Sequence, residues 1–199
     1  SFEEMFPGII DTLPDDLKPG FQNMDLQQGR VFVGGDIAAL DVTEDYYFLG
    51  PEDSQFILST RWGNPESDAT LGMVFPSSGT PLDRGTWGIE ITFDEIGYVS
   101  DEDAGNYDYT ELLSTMQADM GEENKWRKDN GYPSIELVGW AAEPRYDAEA
   151  RKLHWAKRLR FDDNENETLN YNIRALGRKG VLVVNFIAGI DQLAEVEAA

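Results

Sequence analysis

Apolar and polar residues alternate strictly from Trp87 to Phe93, which predicts a strand with one buried face and one exposed face. Four further strands are predicted in the C-terminal third of the chain, at Ile135–Ala142, Leu153–Phe161, Thr168–Leu176 and Val181–Ala188. Turn-like segments rich in Gly, Asn and Asp separate them. Strands joined by such segments pair with their sequence neighbours, so we expect an antiparallel meander here.

Apolar residues at helical spacing predict a helix between the strand that starts at Trp87 and the C-terminal meander. Asp108 and Glu111 form a start resembling a capping box, apolar residues follow at helical intervals, and Asn130-Gly131 ends the helix. A second helix is predicted over Pro51–Trp62, and a hairpin over Arg30–Val42. The fold class that follows is α+β, with a mainly antiparallel twisted sheet and helices packed on one face. By analogy, we expect a likeness to the PsbP-like sandwich folds.

The length of 199 residues fits one domain of ordinary size. Residues 1–28 contain three prolines and are predicted to form an N-terminal arm with short helical turns. Residues 29–190 are predicted to form a single globular α+β domain. Residues 191–199 are interpreted as the start of a C-terminal helix.

Alternation along two neighbouring strands suggests a polar surface. If Leu153, Trp155, Leu159 and Phe161 face the core together with Leu169, Tyr171 and Ile173, the residues between them share the other face. That reasoning predicts one candidate binding patch, composed of His154, Arg158, Arg160, Asn170, Asn172 and Arg174. Lys157 is the exception, since it is a charged residue among the apolar positions.

Basic residues are concentrated in this region of an otherwise acidic chain. The chain has 38 Asp and Glu against 16 Lys and Arg, for a formal charge of -22, whereas residues 145–180 hold nine basic and six acidic residues. Such an acidic chain repels nucleic-acid phosphates, so we expect no nucleic-acid partner. The basic patch is either a solvated or internally paired sheet face, or a binding site for an anionic group, to which arginine is well suited.

Candidate catalytic chemistry is sparse. The chain has no cysteine, no phosphate-binding glycine loop and no metal-spaced histidine pair, so the sequence predicts no catalytic residue, no metal site and no cofactor. A hydrolase using His154, the single histidine, with a nearby acid remains the alternative. The acidic stretch from residue 94 fails the calcium-loop pattern, which leaves a weak surface cation site at Asp101 and Asp103 as a hypothesis. Tryptophans at 62 and 140 suggest a carbohydrate or lipid site as a variant.

Several motifs carry a resemblance to a known family. They are WGNP at 62–65, GYVSDEDA at 97–104, GYP at 131–133, GWAAEPRYD at 139–147, LHWAK at 153–157 and LNYNIRALGRKGVLVVN at 169–185. Together they resemble the bacterial proteins grouped as domain of unknown function 2167, from about residue 29 to residue 185.

The resemblance implies a cellular setting but no activity. Members of that family look like proteins with an N-terminal export signal, a soluble domain and C-terminal hydrophobic membrane segments. We therefore expect the soluble domain of an envelope protein in the bacterial cytoplasmic membrane, facing the periplasm or cell exterior, with residues 191–199 leading towards a membrane anchor. The expected function is a non-enzymatic binding or assembly module, whose partner is an envelope protein or an anionic ligand.

Overall fold

The computed structural model of the chain describes residues 1–35, 37–101, 108–162 and 166–198. The chain divides into two compact units, Ser1–Thr92 and Phe93–Ala199. The boundaries expected at residues 28 and 190 stay a prediction.

Unit 1 combines short helices with short antiparallel strands. Its helices are α1 (Phe2–Met5), α2 (Lys18–Gln22) and α3 (Pro51–Gln55), the last continuing into a π-helical segment at Phe56–Arg61. Its strands are β1 (Leu26–Gln27), β2 (Gly29–Val33), β3 (Ala38–Val42), β4 (Tyr46–Leu49), β5 (Thr70–Pro76) and most of β6 (Gly88–Asp94), whose last two residues belong to unit 2. Strands β1, β4, β5 and β6 lie side by side in that order, and β2 pairs with β3.

The predicted hairpin, the helix from Pro51 and the strand beginning near Trp87 are confirmed. Gly34 and Gly35 both have positive φ, which glycine adopts without a steric penalty, and they turn the chain between β2 and β3. Strands β4 and β5 were not predicted. The first 28 residues contain short helices as expected, and Phe2 and Phe21 are fully buried with their rings in edge contact.

Unit 2 contains the predicted meander. Helix α4 (Tyr109–Asp129) precedes β7 (Ile135–Asp147), β8 (Lys152–Phe161), β9 (Glu167–Leu176) and β10 (Val181–Gly189). Each strand pairs antiparallel with the next. A short 3-10 turn at Ile190–Gln192 leads into α5 (Leu193–Ala198), which contacts β9 and β10. The α+β class and the C-terminal four-strand meander are therefore confirmed.

Helix α4 begins where the sequence predicted. The Asp108 carboxylate accepts hydrogen bonds from the backbone N–H groups of Thr110 and Glu111, as an N-cap does. The helix is fixed to the edge of the meander by Asn124, whose amide accepts from the N–H and donates to the C=O of Ile135, each at 2.7 Å. Asn124 thus hydrogen-bonds β7 as a neighbouring strand would.

Strand β7 is longer than predicted. It extends to Asp147 rather than Ala142, and its pairing with β8 shifts register at three places. Such bulges bend a strand and increase its twist, which is how an outer strand of a meander curves.

Candidate functional site

The register of β8 and β9 separates the predicted patch into two groups. Residues directly opposite each other in a ladder have their side chains on the same face. Asn172 lies opposite Trp155, Arg174 opposite Leu153 and Asn170 opposite Lys157, whereas His154 lies opposite Ile173 and Arg158 opposite Leu169. The prediction that all six residues share one face is therefore wrong: His154, Arg158 and Arg160 lie on one face, and Asn170, Asn172 and Arg174 on the other.

The reason is that both faces of this sheet are partly buried. On one face Ala156 and Leu169 are fully buried, and on the other Leu159 and Leu137 are buried. When only one face packs on a core, apolar residues on neighbouring strands point the same way. When both faces are packed, apolar residues on neighbouring strands can point to different faces. The alternation of apolar and polar residues therefore did not determine the register between β8 and β9.

We call the side bearing His154 the histidine face; it comprises His154, Arg158, Arg160, Glu167 and Tyr171. Its two arginines are bound to neighbouring carboxylates. Arg158 donates from Nε and Nη2 to the two oxygens of Glu167, at 2.8 and 3.1 Å. Arg160 donates to Glu136 on β7. Hydrogen bonding and charge from Arg158 hold the pKa of the Glu167 carboxyl below its usual range. These guanidinium groups already have anionic partners.

His154 contacts the Tyr171 hydroxyl and lies near two cations and one carboxylate. Its Nδ1 lies 3.4 Å from the Tyr171 hydroxyl, which also accepts a long hydrogen bond from Arg145 at 3.5 Å. Burial, and then the charges of Arg145 and Lys152, lower the pKa of His154, while Asp147 has a smaller opposing effect. A hydrolase base is normally oriented by a carboxylate within hydrogen-bond reach, and here a tyrosine occupies that position.

The opposite side carries a different set of polar groups. We call it the tryptophan face, comprising Trp155, Lys157, Asn170, Asn172 and Arg174. The central guanidinium carbon of Arg174 lies 5.1 Å from the centre of the Trp155 ring. Arg174 Nη1 lies 3.3 Å from an oxygen of Asp94. Asn172 is buried and donates to the Asn185 side chain at 3.0 Å.

Two nitrogen donors on the tryptophan face find no acceptor among the residues that the structure describes. They are the indole Nε1 of Trp155 and the Nε of Arg174, and both atoms are buried. A buried donor without a partner costs about 1–3 kcal/mol, so two such donors within one cluster require an explanation.

Lys157 adds a third donor beside them. Burial lowers the pKa of this ammonium, the charge of Arg174 lowers it further, and Glu123 on α4 opposes the shift. The three neighbouring side chains at positions 155, 157 and 174 thus present N–H groups and two positive charges. The chemical group that would satisfy them is an acceptor with negative charge, such as a carboxylate or a phosphate.

Trp155 and Lys157 were not among the predicted binding residues. Trp155 was assigned to the core by its apolar character. The signal that could have identified the cluster was Lys157, a lone charge at an otherwise apolar set of strand positions. An inward-facing lysine is rare unless it is paired or functional.

The contacts of Asp101 do not support the hypothesis of a weak surface cation site at Asp101 and Asp103. This carboxylate accepts a hydrogen bond from the Tyr146 hydroxyl and lies 3.5 Å from Arg151 Nε, and the Tyr146 bond is the main cause of its lowered pKa. Asp103 lies outside the described residues. Within the ranges that the structure describes, no group of three or more His, Asp or Glu side chains is arranged to hold a metal ion.

These features define an α+β protein with a mainly antiparallel sheet, carrying an unsatisfied cluster of donors on one face of its C-terminal meander. The chain belongs to the family described as Protein of unknown function (DUF2167), which it matches over residues 25–199. The resemblance drawn from the sequence motifs is thereby confirmed.

Comparison with solved structures gives a similarity to the solution structure of cyanobacterial PsbP (CyanoP) from Synechocystis sp. PCC 6803. The two share 11% sequence identity over 87% of this chain and 85% of that chain, with a TM-score of 0.44. No curated protein matches the chain. Among the described residues, no helix is both long and apolar enough to cross a membrane.

Proposed function

We propose that this chain is a binding domain that captures an anionic group on its tryptophan face. The observation that carries the proposal is a pair of buried donors, Trp155 Nε1 and Arg174 Nε, beside the Lys157 ammonium; neither donor has an acceptor within the described ranges of the chain. A carboxylate or phosphate oxygen bound there would accept from groups that otherwise lack an acceptor. The binding role predicted for Arg174 is kept in this proposal, and its partners become Trp155 and Lys157.

Charge and geometry favour a compact oxyanion. Asp94 approaches Arg174 at Nη1, while no described residue supplies an acceptor at the Nε edge of the same guanidinium. An oxyanion at that edge would also neutralise the repulsion between Arg174 and Lys157, which contributes to the lowered pKa of the lysine. Charge-assisted hydrogen bonds of this kind are about twice as strong as neutral ones.

A binding role fits the two faces better than hydrolysis. Hydrolysis by His154 would require a carboxylate that orients the imidazole, and the group within hydrogen-bond range is the Tyr171 hydroxyl. The Arg158 and Arg160 guanidiniums are engaged by Glu167 and Glu136, respectively. Neither arrangement supplies a base and a nucleophile in contact.

We also propose that the full-length protein is held at the bacterial cytoplasmic membrane, with this domain outside the cytoplasm. The support is the resemblance of the sequence motifs to family members that look like exported, membrane-anchored proteins. Fractionation of cells expressing the full-length protein, followed by protease treatment of intact spheroplasts, tests this setting. Recovery in the cytosolic fraction would contradict it.

The anion site is tested by nuclear magnetic resonance on the ¹⁵N-labelled chain, using sodium phosphate and sodium acetate as probes and sodium chloride at equal ionic strength as the reference. The indole N–H resonance of Trp155, assigned with Trp155→Phe, should move on titration with a saturating curve. Arg174→Gln should abolish the movement. Arg158→Gln is the matched control, because Arg158 lies on the adjacent strand but on the histidine face, and it should leave the movement intact.

The two probes distinguish the source of the negative charge. A response to phosphate alone indicates a phosphoryl group, and a response to both indicates carboxylates such as those of a partner protein. An indole resonance that chloride moves as far as phosphate and acetate, or that Arg174→Gln leaves unchanged, would overturn the proposal.

A further inference from the structure

Asp94 places a carboxylate beside the two donors of the tryptophan face. It is the last residue of β6, and one of its oxygens lies 3.3 Å from Arg174 Nη1. The Asp94 side chain is 44% exposed and the Arg174 side chain 32% exposed. The carboxylate is therefore open to solvent on one side while it contacts the guanidinium on the other.

The backbone that carries Asp94 is fixed to the turn between β9 and β10. The Gly97 backbone N–H donates to the Lys179 carbonyl at 3.0 Å, three residues after Asp94. A side chain at Gly180 would place its Cβ 2.1 Å from the Asp94 carbonyl oxygen, so this close approach of the two backbones requires glycine. The carboxylate is thus held beside β9 by backbone contacts as well as by its ion pair with Arg174.

The contact with Asp94 leaves another part of the Arg174 guanidinium for a ligand. Arg158 shows how an arginine of this sheet binds a carboxylate at two points, since its Nε and Nη2 donate to the two oxygens of Glu167 at 2.8 and 3.1 Å. In Arg174 the contact with Asp94 is at Nη1, and no described residue accepts from Nε. A ligand oxyanion would bind Arg174 at the edge where Glu167 binds Arg158.

The charges around this edge have both signs. Arg174 and Lys157 are positive, whereas Asp94 contacts Arg174, and Glu123 on α4 opposes the lowering of the Lys157 pKa. A ligand that is only negative would be attracted by the two cations and repelled by Asp94. A ligand that also carries an ammonium group would replace that repulsion by an attraction to the carboxylate.

We infer, on the basis of the proposed function, that the ligand of the tryptophan face is a zwitterion. Its oxyanion accepts from Arg174 Nε, Trp155 Nε1 and the Lys157 ammonium, and its own ammonium pairs with the Asp94 carboxylate. An α-amino acid and a phosphorylated amine share this chemistry, since each carries an ammonium a few atoms from an oxyanion. Asp94 is then the residue that sets specificity, because it repels ligands that are only negative.

The test uses pairs of ligands that differ by one amino group. Glycine is compared with acetate, and phosphoethanolamine with ethyl phosphate, at pH 7 and equal ionic strength, by following the Trp155 indole N–H resonance of the whole ¹⁵N-labelled chain. In at least one pair the zwitterion should bind about two- to fivefold more tightly than the anion, as expected for one partly exposed ion pair. A preference for glycine identifies an amino acid, and a preference for phosphoethanolamine identifies a phosphorylated amine.

Asp94→Asn should reverse this preference. The variant loses the partner of the ligand ammonium, and it should bind acetate and ethyl phosphate about two- to fivefold more tightly than the unchanged chain does, because no carboxylate repels them. Glu136→Gln is the matched control. It also removes a partly exposed carboxylate from an ion pair with an arginine, but that arginine, Arg160, lies on the histidine face, so the preference should persist.

The outcomes separate the zwitterion from the anion site itself. If acetate and ethyl phosphate bind the unchanged chain as tightly as glycine and phosphoethanolamine do, the zwitterion is wrong and the anion site stands. The same holds if Asp94→Asn keeps the preference for the zwitterions. If none of the four ligands moves the indole resonance, both the zwitterion and the anion site are overturned. The comparison of ligands on the unchanged chain needs no substitution, so it decides the question even if Asp94→Asn does not fold.

Discussion

The guanidinium of Arg174 on β9 lies over the indole of Trp155 on β8, 5.1 Å from the ring centre, although the two residues are not directly opposite each other. The contact is diagonal across the ladder, and long side chains can reach that far. It brings two buried donors, the indole Nε1 and the guanidinium Nε, into one cluster, and neither has an acceptor in the part of the chain that the structure describes. The cluster lies on the face opposite Arg158 and Arg160, whose guanidinium groups are both paired with carboxylates.

Lys157→Met should stabilise the protein. Burial lowers the pKa of Lys157 from the ordinary value of 10.5, so the folded state disfavours the charged form. Replacing a poorly compensated buried charge by an apolar side chain of similar length should raise the free energy of unfolding by about 1 kcal/mol at pH 7, measured by urea denaturation.

The increase in the free energy of unfolding caused by Lys157→Met should depend on pH with a definite sign. At neutral pH the lysine is charged in both states and the whole cost of burying the charge is present. As the pH rises from the lowered pKa of the folded state towards 10.5, the lysine loses its proton in the folded state first, and the cost declines. The difference between Lys157→Met and the unchanged chain should therefore shrink in alkaline solution; a difference that grows there would contradict the assignment.

His154 should make the protein less stable in mildly acidic solution. Burial is the main cause that lowers its pKa below 6.5, with Arg145 and Lys152 contributing, so the unfolded chain takes up a proton at a higher pH than the folded chain. The contribution of His154 to stability is fully present above pH 6.5 and is lost as the pH falls through the lowered pKa. Since the side chain is partly exposed, the loss should stay below about 1 kcal/mol.

The measurement is direct because the chain has a single histidine. Its ring C2 proton can be followed by ¹H nuclear magnetic resonance across the pH range, and the titration midpoint should lie below 6.5. Unfolding experiments on His154→Phe should show a smaller decline in stability between pH 7 and pH 5 than the unchanged chain. A midpoint above 6.5 would mean that Asp147 outweighs burial and the two cations.

Much of the fold was predictable because local signals agreed with it. Pro51 at a helix start, Asp108 at an N-cap and the strict alternation from Trp87 each specify a local conformation whatever the tertiary structure. The pairing register is a tertiary property, and it was decided by packing on both faces of the meander. Because both faces are packed, the tryptophan face was not predicted as a binding surface. The sequence pattern assigned Trp155 to the core and treated Lys157 as an exception among apolar positions.

The contact of Trp126 with Tyr132 could not be predicted for a different reason. Trp126 lies off the apolar stripe of α4, and its ring is 51% exposed. Only the loop that places Tyr132 under the indole explains this orientation, and that loop conformation depends on the buried Arg127. A contact between a helix and its own following loop leaves no periodic signal in the sequence.

Asn124→Ala should be among the most destabilising polar substitutions in unit 2. Its amide satisfies both the N–H and the C=O of Ile135, at 2.7 Å each, and removal would leave both groups of β7 without their partner. The expected loss is about 1–3 kcal/mol in the free energy of unfolding. Hydrogen exchange of the Ile135 amide should accelerate in the variant.

Gln117→Ala should lower the free energy of unfolding less than Asn124→Ala does, and it serves as the comparison variant. Gln117 donates one hydrogen bond, to the Leu137 carbonyl at 2.9 Å, so its loss should cost about 0.5–1.5 kcal/mol. Equal effects of the two substitutions would indicate that water replaces the second bond of Asn124, and that the amide does not act as a substitute strand.

The arginines of the histidine face should behave as internally paired groups. Arg158 and Glu167 form a two-point hydrogen-bonded pair across β8 and β9, and their side chains are 40% and 16% exposed. A double-mutant cycle with Arg158→Gln and Glu167→Gln should give a favourable coupling that is smaller than the effect of Asn124→Ala and that declines with added salt. Arg174→Gln with Glu167→Gln is the matched cycle across opposite faces and should be additive. Coupling in that second cycle as strong as in the first would place all three side chains on one face, contrary to the register of β8 and β9.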